Sequence, residues 1–260
     1  MWNNELKLSK ELAVKAGMEI MKIYEKDFSD TIEYKADESP LTIADKASNA
    51  LIVSSIREAF PTYAILSEEE KDNKERLSNP LCFIIDPLDG TKEFIKRNGQ
   101  FTVNIALSNN HKTVLGVIYV PVSGDLYFAS EKDGAFLQKS DGSITRLHVS
   151  DVTEISKLRA VVSSSHLCQE MTDMIEKYGI KNLKSMGSSL KGCLVAQGEA
   201  DIYFRHNPTM EWDTAAMQCI VEEAGGIFRQ MDDSEMLYNR ENSLNEKGFY
   251  AINNEKNRLY

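Results

Sequence analysis

The chain has 260 residues, of which 42% are hydrophobic and 27% charged, and its formal net charge is -10. This composition can bury a substantial core and excludes a disordered chain, while the acidity excludes sequence-independent binding of a nucleic acid polymer, which needs a basic surface. Cys82, Cys168, Cys193 and Cys219 are far apart and form no C-x-x-C pair, so reduced thiols are expected rather than a zinc site or a disulfide framework.

The first ten residues carry charges and no apolar core, unlike a secretory signal peptide. No stretch approaches the roughly 18 apolar residues of a transmembrane segment. A cytoplasmic location is the expectation.

Leu6, Leu12, Ala13, Ala16, Ile20, Ile23 and Tyr24 recur at helical spacing and predict a long amphipathic helix. A polar stretch at 35–40 ends the extended segment that follows. Thr42 and Asp45 then stand as T-x-x-D before an apolar-periodic run to Phe60, which predicts a capped second helix that Pro61 breaks. Short runs at 63–66, 82–85, 102–107, 114–120 and 126–129, rich in β-branched residues, predict a largely antiparallel sheet. Beyond residue 150 the texture changes. Strands at 160–162, near 183, at 202–204, at 227 and at 249 alternate with helices at 166–178, 189–197 and 212–224. The fold class expected is therefore α/β overall, with an α+β unit over 1–150 and an α/β unit over 151–260 carrying helices on both sheet faces.

One run concentrates chemistry: Asp86-Pro87-Leu88-Asp89-Gly90-Thr91 directly follows the apolar strand Cys82-Phe83-Ile84-Ile85. Pro87 fixes its own φ and keeps Asp86 extended, so the strand is expected to turn there, with Asp86 and Asp89 facing each other across a tight bend. Carboxylates that close repel unless a cation lies between them. Hard oxygen donors, the Leu88 carbonyl included, suit Mg²⁺. Gly90 permits close backbone approach, Thr91 adds a hydroxyl, and a helix opening at Lys92 would turn N–H groups on an anion. Taken alone, D-P-x-D-G is equally well a surface turn.

Other acids shift that balance. Glu68 follows the strand Ala64-Ile65-Leu66 at the position where α/β sites collect ligands, whereas Glu70 reads as solvated. Asp213 opens a helix and is explicable as a first-turn acid; Asp45 is explicable as half of a capping box. The case for chemistry rests on their occurring together.

Ser67-Glu68-Glu69, Asp86-Pro87-Leu88-Asp89-Gly90-Thr91, and Trp212-Asp213 with Ala224-Gly225-Gly226 stand in the order of the motifs of the inositol monophosphatase superfamily, which the chain resembles from Ser39 to Gly226. Lys92-Glu93-Phe94-Ile95, Gly187-Ser188-Ser189-Leu190-Lys191 and Pro208-Thr209-Met210-Glu211-Trp212-Asp213 resemble one branch, the CysQ-type 3'(2'),5'-bisphosphate nucleotidases. Ser163-Ser164-Ser165-His166 departs from that branch's S-R-S-H, Arg205-His206-Asn207-Pro208 from its R-F-G-P, and Met217 from a common glycine; none of these is a metal-ligand position.

The resemblance implies a layered α-β-α-β-α sugar-phosphatase-like sandwich and a lithium-sensitive phosphatase of sulfur metabolism. It implies Glu68, Asp86, Leu88, Asp89 and Asp213 as ligands of two or three Mg²⁺ ions, and Asp45 and Thr91 as the pair that takes the proton from the attacking water. Glu68, Leu88, Asp89, Gly90, Thr91, Ser163, His166, Gly187, Lys191 and Asp213 are implied substrate contacts. The expected substrate is a small nucleotide bisphosphate, adenosine 3',5'-bisphosphate foremost and 3'-phosphoadenylyl sulfate second, handled by a monomer or homodimer. Hydrolysis of inositol monophosphate or another sugar phosphate is the alternative, and a non-catalytic nucleotide sensor a remote third. The net charge of -10 is compatible with an anionic substrate if metal ions supply the positive field.

Overall fold

The computed structural model describes residues 1–26, 33–34, 40–72, 74–163 and 168–259. Its first half runs α1 (Asn3–Tyr24), β1 (Glu33–Tyr34), β2 (Pro40–Leu41), α2 (Ile43–Ala59), β3 (Ala64–Ser67), β4 (Leu81–Asp89), α3 (Thr91–Ile95), β5 (Thr102–Asn109), β6 (Lys112–Val120), β7 (Asp125–Ser130), β8 (Gly134–Gln138) and β9 (Ile144–Arg146). Its second runs β10 (Arg159–Ser163), α4 (Gln169–Tyr178), β11 (Asn182–Met186), α5 (Leu190–Ala196), β12 (Ile202–Arg205), β13 (Thr209–Met210), α6 (Glu211–Glu223), β14 (Ile227–Gln230), β15 (Leu244–Asn245) and β16 (Phe249–Ile252).

Strands β3 to β9 form a seven-stranded sheet in chain order. Each neighbouring pair is antiparallel except β3 and β4, which run parallel. The second sheet has five strands in the order β11-β10-β12-β16-β14. In it β10 runs parallel to both its neighbours, while β12–β16 and β14–β16 are antiparallel.

The two-residue side-chain period of a strand assigns each face to a different core. In the large sheet Phe83, Ile85, Ile105, Val117 and Phe128 meet Leu12, Ala16, Ile20, Ile52 and Ile56 of α1 and α2. The alternate residues Cys82, Ile84, Ala106, Ile118 and Ala129 meet Leu194, Ala216 and Ile220 of α5 and α6. That same helical layer is covered on its other side by Val161, Tyr203, Phe249 and Ala251 of the small sheet. The outer face of the small sheet, with Ala160, Ile202, Phe204 and Tyr250, packs on Met171 and Met174 of α4. The layers are therefore α-β-α-β-α, the sandwich expected.

In the large sheet two strands lie beyond the sequence-based expectation, β8 and β9. Gly134 and Ala135 lower the strand signal of β8, which forms because β7 offers it a complete antiparallel ladder. All four cysteines are free, as expected, and Cys82, Cys193 and Cys219 are buried.

Glycine sets how closely the middle helices sit on the large sheet. A Cβ on Gly116 of β6 would fall 2.5 Å from the carbonyl oxygen of Ala216 in α6. The Gly116→Ala variant must move a backbone group, and overpacking of this kind costs about 1–3 kcal/mol. Urea unfolding should show a lowered midpoint with an unchanged m-value; a wild-type midpoint would mean that α6 is not held at this distance.

Candidate active site

The large sheet delivers Asp86 and Asp89 on one continuous strand. Asp86 pairs with Asn104 and Asp89 with Thr102, so Pro87 and Leu88 together oppose Val103 alone. This is a β-bulge, and it corrects the expectation of a tight bend at Pro87: a bulge leaves residues out of the ladder, so the proline's missing N–H is not needed there. The Pro87 carbonyl accepts a hydrogen bond from Ser48 Oγ at 2.7 Å. The Leu88 N–H donates to Asp86 Oδ1 at 3.1 Å. Gly90 follows at φ 90°, a left-handed conformation that glycine adopts without strain, and the chain enters α3, a helix of five residues.

Asp86, Asp89 and Asp213 each offer a carboxylate oxygen, and these atoms lie within 4.8 Å of one another. Asp213 arrives from the first turn of α6, where its Oδ2 accepts the Met210 N–H at 2.6 Å. Asp89 Oδ2 takes the Ser189 N–H at 2.7 Å, the Ser189 hydroxyl at 2.6 Å and Asn104 Nδ2 at 3.2 Å. Glu68 stands just beyond β3, its N–H on the Ile85 carbonyl at 3.1 Å. It hydrogen-bonds Asp86 and lines a cleft with Asp89 and Asp213, outside the tight group of three.

Burial, then the charges of Glu68, Asp89 and Asp213, push the Asp86 carboxyl well above the usual carboxylate range. Burial and Asp89 likewise raise that of Asp213. A partly buried cluster of hard oxygen donors, in which Asp86 and Asp213 resist ionisation, has the composition of a Mg²⁺ site.

Asp45 lies beside this cluster and is 2% exposed. Its Oδ2 closes the expected capping box on α2, accepting from the Thr42 N–H at 2.8 Å and the Thr42 hydroxyl at 2.5 Å. Its Oδ1 accepts from Thr91 Oγ1 at 3.3 Å, and Thr91 Oγ1 lies 3.4 Å from the Leu88 carbonyl. Burial is the main cause that raises the Asp45 carboxyl to about 6, against the Thr42 hydrogen bonds.

The cleft continues away from the acids, lined by Gly90, Ser163, Gly187, Lys191, Tyr203 and Arg205. The Gly187 N–H donates to Gln100 Oε1 at 2.7 Å. A Cβ on Gly187 would lie 2.7 Å from Glu93 Cγ, so the residue fits only as glycine. Lys191 is 6% exposed, its Nζ donating to the Ser188 carbonyl at 2.6 Å and lying 5.5 Å from the Tyr203 ring centroid. Burial lowers its ammonium to about 8, although Asp89 opposes the shift. His166 lies outside the described residues.

Three participants had no assigned role from sequence. Ser189 and Asn104 anchor Asp89, and Arg205 brings a second cation to the cleft. Asn104 carries a signal, a buried amide between the apolar Val103 and Ile105. Arg205 carries none beyond its place at a strand end.

The raised carboxyls fix a pH dependence. Between an unfolded value near 3.8 and a folded value of about 6 for Asp45, the folded chain binds more protons than the unfolded chain, so stability falls as pH rises through that window. Asp86 and Asp213 act in the same direction at higher pH. Metal-free protein should lose thermal midpoint from pH 4 towards pH 8, and Mg²⁺ should flatten the profile. A metal-free midpoint that climbs steadily to pH 8 would contradict the cluster's electrostatics.

The inositol monophosphatase family, as a sequence pattern, matches residues 2–258. The 3'(2'),5'-bisphosphate nucleotidase CysQ of Salmonella typhimurium is 40% identical over 242 residues, covering 92% of this chain and 96% of that protein. The crystal structure of CysQ from Bacteroides thetaiotaomicron superimposes with a TM-score of 0.84 at 41% identity, over 97% of this chain and 98% of that one. A Thermotoga maritima IMPase is more distant in sequence, at 27% identity, yet reaches a TM-score of 0.80 over 96% of this chain and 92% of its own. The shared fold and a match across nearly the whole sequence agree: this chain belongs to the inositol monophosphatase family.

Proposed function

We propose that this chain is a magnesium-dependent phosphomonoesterase that removes the 3'-phosphate of adenosine 3',5'-bisphosphate, giving AMP and phosphate, with 3'-phosphoadenylyl sulfate as a second substrate. The observation that carries the reading is the polarity of one cleft. Glu68, Asp89 and Asp213 lie along it together with Lys191 and Arg205. A metal-binding end and a cationic end suit a ligand with two phosphates better than one with a single phosphate. Two relatives named CysQ, at 40% and 41% identity, support the same substrate class.

Glu68, Asp86, the Leu88 carbonyl, Asp89 and Asp213 would hold the ions. Bound Mg²⁺ would supply Lewis-acid polarisation of the phosphoryl group and a lowered pKa for water. The chain's own part is to position and to move a proton. Thr91 Oγ1, within reach of Asp45 Oδ1 at 3.3 Å, receives a proton from the attacking water while passing its own to Asp45. A carboxyl raised to about 6 is a better base at neutral pH than an ordinary aspartate. Lys191 and Arg205 meet the 5'-phosphate, and Gly187 lets the backbone approach the nucleoside. The four free thiols fit a reducing cytoplasm.

Purified protein with Mg²⁺ should release phosphate much faster from adenosine 3',5'-bisphosphate than from inositol monophosphate, and Li⁺ should inhibit. Equal or faster turnover of the inositol ester would overturn the substrate choice, and tight nucleotide binding without phosphate release would favour a sensor.

The Asp45→Asn variant should lose about 10²–10⁴-fold in kcat with little change in KM. The Asn side-chain oxygen can still accept the Thr42 N–H of the capping box, so the variant should remain folded. A near-normal kcat would remove Asp45 from the proton path.

A further inference from the structure

Glu211 stands two residues before Asp213, yet it is fully buried, at 0% exposure, and does not line the cleft. Its oxygens accept the N–H groups of Asn239 at 2.6 Å and Arg240 at 3.0 Å, and its own N–H donates to the Ser243 carbonyl at 2.9 Å. The segment 239–243 is thereby wrapped onto the first turn of α6.

The same segment grips the loop that leaves β3 after Glu68. Arg76 Nη1 donates to Asn239 Oδ1 at 2.9 Å, and Asn239 Nδ2 donates back to the Arg76 carbonyl at 3.0 Å. Arg76 Nη2 reaches Ser243 Oγ at 3.2 Å. The guanidinium also holds Asp72, through Nε at 3.1 Å and Nη2 at 2.7 Å. Arg76 is 4% exposed, an unusual burial for an arginine on a short loop helix.

We propose that Arg76 is a positioning residue for the acid cluster: through Asn239 and Glu211 it fixes the spacing between Glu68 and Asp213. This rests on the reading that the cluster holds divalent cations. Glu68 follows an edge strand and Asp213 lies in the first turn of a helix, so no shared ladder ties them together. Their like charges push the two elements apart, and a reciprocal Arg76–Asn239 pair opposes that opening. A planar fork is needed, because one cation must meet Asp72, Asn239 and Ser243 at once.

Arg76→Lys keeps a cation for Asp72 and loses the fork. The probe is Mn²⁺ alone, titrated into metal-free protein without nucleotide and followed by electron paramagnetic resonance. Affinity should fall by about 10–100-fold, as it does when the groups that orient metal ligands are removed, and Asn239→Ala should give the same loss. Substrate KM at saturating Mg²⁺ should not change, which separates a misplaced metal site from general damage to the cleft. Wild-type Mn²⁺ affinity in both folded variants overturns the proposal. Should neither fold, Ser243→Ala, which removes a single hydrogen bond, decides by a smaller loss or by none. Wild-type protein that binds no Mn²⁺ overturns the metal-site reading instead.

Discussion

Like-charge repulsion among buried carboxylates is the constraint on which this molecule is organised. Asp86, Asp89 and Asp213 bring oxygens within 4.8 Å of one another, with Asp86 buried and the other two partly so, and Glu68 and Asp45 stand next to them. Such a group is unfavourable unless each acid is fixed and a cation is expected. The protein fixes them by hydrogen bonds to an oxygen of each carboxylate. In Asp45, Asp89 and Asp213 the Oδ2 atom accepts hydrogen bonds from Thr42, from Ser189 and Asn104, and from Met210, respectively. In Asp86 the Oδ1 atom accepts from the Leu88 N–H. In Asp45 the other oxygen, Oδ1, meets Thr91, while Asp86, Asp89 and Asp213 each turn one oxygen to the shared cluster.

These bonds remove the apparent conflict between local and catalytic explanations of the same residue. Asp45 is a capping-box residue of α2, and it also accepts from Thr91. Asp213 bonds the N–H of Met210 at the start of α6, and it also joins the acid cluster. A helix N-terminus favours an anion through its unpaired N–H groups and its dipole. Placing carboxylates there offsets part of the cost of gathering them. The bulge in β4 serves the same end by presenting Asp86 and Asp89 from one strand, with the Leu88 carbonyl between them.

Layering sets the distances between these pieces. The α5–α6 layer is shared by both sheets, and Gly116 allows α6 to lie close on the large one. The start of α6 therefore comes to the end of β4, while Ser189, just ahead of α5, reaches Asp89. The cationic side of the cleft comes from the small sheet and α5, through Arg205 and Lys191. Acid and base thus come largely from different layers, and the cleft runs where they meet.

Sequence alone determined the elements and the densest part of the site. Helical and strand periodicities give α1, α2, α6 and most strands, because each depends on residues a few positions apart. The Asp86–Thr91 run is readable for the same reason: its ligand candidates are consecutive and its proline and glycine restrict the backbone locally. What the bulge does at Pro87 was not readable, since it depends on how β5 pairs opposite. Nor were the pairings that hold the acids in place. Thr91 meets Asp45 across 46 positions, Ser189 meets Asp89 across 100, and Arg76 meets Asn239 across 163. No local pattern encodes a contact between residues so far apart. Only the packing of two sheets on one helical layer decides which serine, asparagine or arginine arrives beside which carboxylate.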